Sequence, residues 1–389
     1  MSEPIKKPNQ TNPESYSPKI PKLVNMMEKE KQNKLQNIPE QFSVTERGVR
    51  ETNNGDPQCM VFPALMRALG TFLGLENHPI NDYNYAFQMG ITTEGFALYY
   101  DAPFRFGGTN KWGATHIKNA LAVGGVKYRI AGADESIIHD MLVDFNTIKT
   151  DVCLHICHDK PILIKKEKTD TYLFVTGYKE NGDVLIAFPF FGGGNENHAL
   201  NLKANCQEYS DWMDNLEAII YIDGFGEPKN EKRIEIIKET LKIAYEMLTD
   251  TQLTDTGNYD YGNQLYKTWI ARLDNDANYE NNENKMKYIW PETPDYDERR
   301  LYAAGFFEQC DKLIGKGTLI KAGEAFAAIH DKLQDIYKYI SGENGGRLPE
   351  RETRDKIIAI LKKCHELDLV AAEYIKKTLE VDLIGTEAK

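Results

Sequence analysis

Cys59 is the residue best suited to covalent chemistry, because a turn leads into an apolar helix at this position. The turn reads Gly55-Asp56-Pro57-Gln58, and a helix is predicted over Cys59–Leu73. Unpaired N–H groups and the helix dipole favour negative charge at a helix start, and they lower the pKa of a thiol there. The thiolate is the nucleophile of cysteine hydrolases and acyltransferases. Cysteine also often packs in protein cores, so the choice depends on whether a base lies elsewhere in the chain.

Histidine is the usual base for such a thiol, and it need only be close in space. His155 and His158 lie in the hexapeptide Cys153-Leu154-His155-Ile156-Cys157-His158, just before a predicted strand. They are the candidates for a displaced base. Further histidines that could serve are His116, His139 and His198. For each of these residues the alternative is a packed or solvated histidine.

The same hexapeptide raises the possibility of a metal site. Cys153 and Cys157 would share a face of a helix, whereas on a strand they would share it with His155. One short segment cannot readily wrap a tetrahedral ion with all these side chains, and the chain has no second pair at ligand spacing. The sequence therefore predicts no metal and no cofactor.

Composition limits the classes of partner. The chain has 389 residues, a net charge of -12 and six cysteines. An acidic chain disfavours nucleic acid as a partner, and no apolar run reaches the roughly 18 residues of a membrane span. The polar N-terminal segment lacks the apolar core of a signal peptide, and the scattered cysteines do not form a disulfide framework. We therefore expect a cytoplasmic protein with reduced thiols.

The order of predicted elements is that of an α+β protein. Residues 1–42 form a polar tail that we expect to be flexible, and residues 43–228 form the first domain. The helices predicted in this domain are Cys59–Leu73, Asp82–Met89, Ala114–Val123 and Glu135–Phe145. The predicted strands are Gly95–Tyr100, Val126–Ile130, Pro161–Lys166, Thr171–Tyr178, Asp183–Phe188 and Leu216–Ile222. Asn181-Gly182 predicts a hairpin between two of these strands.

Residues 229–389 carry helical spacing of apolar residues and are predicted to form an all-α domain. Its predicted helices are Glu231–Thr249, Tyr261–Leu273, Asp297–Ile314, Ile320–Ile340 and Glu352–Leu379. Asp295, Asp297 and Glu298 are interpreted as a helix N-terminal cluster that the helix dipole favours.

Several segments of the first domain occur in a characteristic order. A Cys opens an apolar helix that ends at Gly74, and the Gly95–Tyr100 segment follows. Lys160-Pro161-Ile162-Leu163-Ile164, Tyr172–Tyr178 and Gly182-Asp183-Val184-Leu185-Ile186 come next. In this order the domain resembles the papain-like fold in its bacteriocin-leader-peptidase form, and more closely the N-terminal domain family of butirosin biosynthesis protein H. The helical tail is also similar to that of a group of bacterial proteins.

The resemblance implies a catalytic triad of which this chain keeps one member. The nucleophile position matches Cys59, whereas the position of the catalytic His matches Thr171 or Tyr172. Neither is a base near neutral pH, since a phenol titrates at about 10 and a Thr hydroxyl far higher. The orienting Asp is replaced by Phe188, whose ring cannot fix an imidazole tautomer. The Gln that helps to form the oxyanion hole in papain-like enzymes lies several positions before the Cys, whereas Gln58 is adjacent to it.

These replacements favour a non-catalytic protein that binds a small molecule or peptide in the former active-site cleft. The residues expected to line that cleft are Asp56, Gln58, Thr171, Tyr172 and Phe188. The alternative is an active Cys-dependent acyltransferase or amide hydrolase that uses a displaced His. A third possibility is an interaction protein that uses mainly the helical half. The identity of the ligand and the oligomeric state are left open.

Overall fold

The structure is a computed structural model, and it describes most of the sheet and of the helical half. The described residues are 33–34, 42–43, 61–73, 84–96, 99–101, 115–131, 145–166, 172–190, 199–200, 206–214, 216–227, 230–249, 259–279, 292–314, 317–340 and 347–386. Within these ranges the fold is α+β, as the sequence predicts.

An antiparallel sheet forms the centre of the first half. The strands in the described ranges are β1 (Asn33–Lys34), β2 (Phe42–Ser43), β3 (Tyr99–Asp101), β4 (Val126–Ala131), β5 (Ile162–Lys166), β6 (Tyr172–Lys179), β7 (Val184–Phe190), β8 (Ala199–Leu200), β9 (Gln207–Tyr209), β10 (Leu216–Phe225) and β11 (Tyr259–Tyr261). The sheet runs β4-β10-β5-β6-β7-β9, and the short β1 also pairs with the end of β6. The strands predicted around β4, β5, β6, β7 and β10 are confirmed, with ends that differ by a few residues.

Nine α-helices lie in the described ranges. They are α1 (Val61–Phe72), α2 (Tyr85–Ile91), α3 (Thr115–Val123), α4 (Phe145–Cys157), α5 (Asn230–Thr249), α6 (Gly262–Asp274), α7 (Glu292–Ile314), α8 (Thr318–Ile340) and α9 (Arg351–Thr386). The five helices predicted after residue 229 are all present. The helix predicted over Glu135–Phe145 lies outside the described residues except for Phe145, at which α4 begins.

The register of the strands defines two faces of the sheet, because directly opposed residues point to the same side. Phe174 is opposite Leu163 and Phe188, and we call this side the Phe174 face. Helix α1 packs here, with the Phe72 and Phe174 rings 5.9 Å apart. We call the other side the Tyr221 face. Tyr221 is opposite both Arg129 and Ile162, and Ile162 is opposite Val175.

Helix α4 packs on the Tyr221 face. The His155 ring contacts the Tyr221 ring edge-on at 5.0 Å, and Cys157 Sγ lies 3.1 Å from the Tyr178 hydroxyl. A bulge in β6 between Val175 and Gly177 turns Tyr178 to this side. Helices α1 and α4 therefore lie on opposite faces of the sheet.

The hairpin predicted at Asn181-Gly182 is present between β6 and β7. Both residues have a positive φ, 56° at Asn181 and 90° at Gly182, which Asn and Gly tolerate best. Helix α4 packs closely against this turn, so that a Cβ added at Gly182 would lie only 2.7 Å from Cys153 Sγ. Trp212 Nε1 donates to the Gly182 carbonyl at 3.0 Å.

Part of the first half packs directly on the helices of the second half. Gly90 of α2 lies so close to α7 that a Cβ there would meet the Phe306 ring at 2.0 Å, and a Cβ at Gly305 would meet Ala86 at 3.0 Å. Strand β3 pairs with β11, on the other side of residue 228 in the chain. These contacts connect the two predicted domains, whose boundary lies between residues 228 and 229.

The strand predicted over Gly95–Tyr100 is described at both of its ends. Tyr99–Asp101 is extended, whereas Gly95 and Phe96 belong to the turn after α2. Two arginines of α7 hold this turn: Arg299 Nη1 donates to the Glu94 carbonyl and Arg300 Nη1 to the Gly95 carbonyl, both at 2.7 Å. Apolar residues of the segment indicated a strand, but these distant partners hold part of it in a turn.

Candidate functional site

The predicted cleft residues divide between those that the structure describes and those that it does not. Cys59, Asp56, Gln58 and Thr171 lie outside the described residues. Tyr172 and Phe188 lie on described strands, and the base candidates His155 and His158 lie on or next to α4. The candidate site is therefore built from the sheet and α1.

Tyr172 and Phe188 share the Phe174 face of the sheet. Phe188 is directly opposite Phe174, and Tyr172 is two residues from Phe174 along β6. Both are buried, with 6% of Tyr172 and 3% of Phe188 exposed. Tyr172, one of the two residues that the resemblance matches to the catalytic His, thus lies on the same side of the sheet as Phe188, and α1 packs on that side.

Lys165 is the third residue of the candidate site on this face, and it was not among the residues predicted from the sequence. It is directly opposite Tyr172 in the β5–β6 register, and its Nζ lies 5.9 Å from the centre of the Tyr172 ring. Only 8% of the residue is exposed, which is unusual for lysine. The alternation of side chains in β5 could have revealed it, because Lys165 shares a face with Leu163 and not with its neighbour Lys166.

Lys166 points to the Tyr221 face and has a conventional salt bridge. Its Nζ lies 3.3 Å from Asp211 Oδ2 and donates to the Asp211 carbonyl at 2.9 Å. Two adjacent lysines in one strand therefore have different surroundings on opposite sides of the sheet.

His155 lies on the Tyr221 face, away from α1. Its Nε2 is 3.2 Å from Asp223 Oδ1, and Arg129 Nε is 3.2 Å from the other oxygen of the same carboxylate. Burial lowers the pKa of His155 to about 4, although the Asp223 carboxylate acts in the opposite direction. The imidazole is therefore neutral at neutral pH and lies beside a carboxylate, but the sheet separates it from the Phe174 face.

His158 closes the C-terminal end of α4. Its Nδ1 lies 2.6 Å from the Leu154 carbonyl, and Asp159 follows with a φ of 57°. An imidazole N–H that donates to the last carbonyls of a helix satisfies groups that have no partner within the helix. This geometry is that of a helix cap.

The two cysteines of α4 pack against neighbouring side chains. Burial raises the pKa of Cys153 to about 12, and Cys157 contacts the Tyr178 hydroxyl. Among the residues that the structure describes, no group of three or more His, Cys, Asp or Glu side chains is arranged to hold a metal ion.

A second cluster of charged groups lies on α7, and it corrects the interpretation of Asp297 and Glu298 as a helix N-terminal cluster. Helix α7 begins at Glu292, so these residues lie beyond its first turn. Four consecutive charged residues, Asp297, Glu298, Arg299 and Arg300, are at most 5% exposed. They are buried because other helices surround α7.

Each of these four charged residues contacts a different part of the fold. Asp297 pairs with His330 and accepts from Gln334 Nε2 of α8 at 2.5 Å. Tyr85 of α2 donates to Glu298 Oε1 at 3.0 Å. Arg299 Nη1 lies 2.6 Å from Glu94 Oε2 in the turn after α2. Because a helix turns through 100° per residue, consecutive side chains reach different neighbours.

Arg300 and Asp368 form the centre of this network. Arg300 donates to both oxygens of Asp368 of α9, at 2.8 and 2.9 Å, and both residues are almost completely buried. The Tyr266 and Tyr296 hydroxyls donate to Asp368 Oδ2 at 2.5 and 3.2 Å. Burial raises the pKa of Asp368, while Arg300 and the hydrogen bond from Tyr296 act to lower it. The cluster is best explained as a structural network of buried, hydrogen-bonded charges that connects several helices.

None of the described helices is long and apolar enough to cross a membrane. Compared with protein-family models and with curated protein sequences, the chain finds no match in either set.

Proposed function

We propose that this protein binds a small molecule or peptide at the Phe174 face of its sheet and has lost the catalysis of the papain-like arrangement that it resembles. The observation that carries the proposal is that Tyr172, Phe188 and Lys165 share the face on which α1 packs. Aromatic rings together with one polar anchor are typical of the lining of a ligand site.

The described histidines support binding more than catalysis. If the Cys59 thiol lies where the sequence predicts, at the start of the helix that contains α1, its base is expected on the side of the sheet where α1 packs. His155 and His158 belong to α4, on the Tyr221 face, where Asp223 and the Leu154 carbonyl respectively are their partners. Tyr172, one of the two residues matched to the expected base, does not take a proton near neutral pH. Phe188, which is matched to the orienter, cannot hydrogen-bond an imidazole.

The pH dependence of thiol labelling separates binding from the enzyme alternative. We expect Cys59 to react with iodoacetamide faster than the other five cysteines at pH 7, because a thiol at a helix start ionises more readily. In three of those five, burial also raises the thiol pKa, to about 12 in Cys153 and Cys364 and to a higher value than usual in Cys310. Without a base, the rate at Cys59 falls about tenfold for each pH unit below the pKa of its thiol. Peptide mass spectrometry after timed labelling gives the rate at each cysteine.

A rate at Cys59 that stays constant between pH 7 and 5 would indicate a thiolate–imidazolium pair and would support the enzyme instead. If that constant rate is lost in His155→Gln but kept in His158→Gln, the displaced base is His155. If Cys59 is labelled no faster than the buried cysteines, the case for an activated thiol is lost.

The binding proposal itself is tested by mass spectrometry of small molecules released from the purified full-length protein. We expect a released molecule that is retained in Cys59→Ala, because binding does not require the thiol. The proposal is contradicted if the parent releases no small molecule and the only bound group that is found is an acyl group attached covalently to Cys59.

A further inference from the structure

We infer that the outer edge of strand β4 binds an extended peptide segment in which acidic and apolar residues alternate. This edge is separate from the proposed ligand site, because β10 lies between β4 and the strands that carry that site. Within the part of the chain that the structure describes, β4 pairs only with β10, through six residue pairs. Strand β9, at the opposite end of the sheet, has only three residues. An edge strand as long as β4 can accept another strand, whereas very short edge strands are protected from such pairing.

The backbone of β4 directs hydrogen-bonding groups away from β10 at alternate residues. The Gly226 N–H, just after β10, donates to the Gly125 carbonyl at 2.9 Å. The N–H and C=O of a trans peptide point in opposite directions, so the Val126 N–H points away from β10. Alternation along the strand then places the N–H and C=O groups of Tyr128 and Ile130 on the outer edge as well.

The side chains of β4 differ in charge between the two faces of the sheet. Arg129 is opposite Tyr221, and Lys127 shares its face because side chains alternate along a strand. Both cations are exposed, whereas Tyr128 and Ile130, on the other face, are half-buried. Opposite charges in directly opposed cross-strand positions stabilise a pair of strands, as do aromatic and β-branched pairs. The strand that fits this edge therefore has acidic residues on one face and apolar residues on the other.

Lys127 is the cation of this edge that is available to such a partner. Arg129 Nε lies 3.2 Å from Asp223 Oδ2, and Arg129 also acts to lower the pKa of Asp151. Lys127, by contrast, forms no salt bridge within the described ranges. A second copy of β4 is disfavoured as the partner, because its cations would face those of the first copy and like charges directly opposite are destabilising.

The test uses an acetylated and amidated octapeptide in which glutamate alternates with valine or tyrosine, and a counterpart with lysine in place of glutamate. Two further forms are N-methylated, one at the glutamates and the other at the apolar residues. Calorimetry measures their binding to the full-length protein, to Lys127→Glu and to Lys242→Glu. Lys242 is an exposed lysine of α5 and provides the same change of charge outside the sheet. Residue-resolved hydrogen exchange is measured with and without the glutamate peptide.

We expect the glutamate peptide to bind the parent and Lys242→Glu at least about threefold more tightly than Lys127→Glu. The lysine peptide should bind more weakly than the glutamate peptide. Only one of the two N-methylated forms should lose binding, because alternate N–H groups of a strand point to opposite sides. Binding should slow exchange at the amides of Tyr128 and Ile130 and change little at those of Lys127 and Arg129, which face β10.

Three results would overturn the inference. One is the absence of binding of the glutamate peptide at about 1 mM. Another is binding that is the same for both N-methylated forms, for the lysine peptide or for Lys127→Glu, because strand pairing or the charge preference is then wrong. The third is slow exchange at Tyr128 and Ile130 before any peptide is added, which would show that another segment of the chain or a second copy already pairs with this edge. None of these results bears on ligand binding at the Phe174 face.

Discussion

His155 and His158 are three residues apart in the chain, yet their surroundings give them different properties. His155 is buried against Tyr221 and beside Asp223, whereas His158 is exposed and caps α4. Burial disfavours the charged imidazolium, and this is the main reason why the pKa of His155 falls from its ordinary value of 6.5 to about 4. The residue type alone indicated a possible base, and the environment determines that His155 is neutral over most of the physiological range.

This lowered pKa predicts a pH dependence of stability. An unfolded chain binds a proton at His155 near pH 6.5, while the folded protein does so only near pH 4. The contribution of neutral His155 to the free energy of unfolding is therefore fully present above pH 6.5. It is lost as the pH decreases towards 4, by up to about 1.4 kcal/mol per pH unit. Urea unfolding of the parent and of His155→Gln at pH 7, 6 and 5 measures the difference. His158→Gln is the control and should keep the slope of the parent; equal slopes in all three proteins would contradict the prediction.

The β6–β7 hairpin shows how one element is specified by both local and distant groups. Asn181-Gly182 supplies the positive φ angles that the turn needs, and these are local properties of the sequence. The close contact between Gly182 and Cys153 is a property of the packing of α4 on the hairpin. Glycine is therefore required here for two independent reasons.

Gly182→Ala is expected to destabilise the protein by more than a conformational penalty alone. A non-glycine residue in the left-handed region costs about 1–2 kcal/mol, and the added Cβ would also meet Cys153 Sγ. Gly317→Ala is the matched control, because Gly317 has a φ of 73° and nothing within 4 Å of its added Cβ. Chemical unfolding should show a larger loss for Gly182→Ala, part of which is recovered in the Cys153→Ala background. Equal losses at the two glycines would show that the contact is relaxed without cost.

At the scale of the whole molecule, the buried charges of α7 connect elements that are distant in sequence. Arg300 joins the turn after α2 to α9 through Gly95 and Asp368, and Arg299 joins α7 to Glu94. A buried ion pair contributes little net stability where the cost of desolvation offsets the attraction, and in some proteins it specifies one arrangement instead. We therefore expect the network to fix how α2 and its turn lie on the helices of the second half.

Removal of one partner of the central pair should be strongly destabilising. Arg300→Met leaves the Asp368 carboxylate buried without its cation, which costs about 3–5 kcal/mol. The double variant Arg300→Met, Asp368→Leu should lose much less stability than the two single variants together, because no uncompensated charge remains. Urea unfolding gives the free energies, and hydrogen exchange should increase at Thr92–Phe96. The exposed pair Lys338–Asp335 is the control, and Lys338→Met should change little. Additive losses would mean that Arg300 and Asp368 act independently.

The α+β class, the five helices after residue 229, the central strands and the hairpin at Asn181-Gly182 are predictable from the amino-acid sequence. These features depend on apolar periodicity and on backbone preferences, which are properties of neighbouring residues. The folded chain adds that Lys165 shares a face with Tyr172 and Phe188, that α4 lies on the opposite face, and that Asp297 and Glu298 are buried. Strand register, sheet faces and helix packing depend on contacts between distant segments, so no local pattern specifies them.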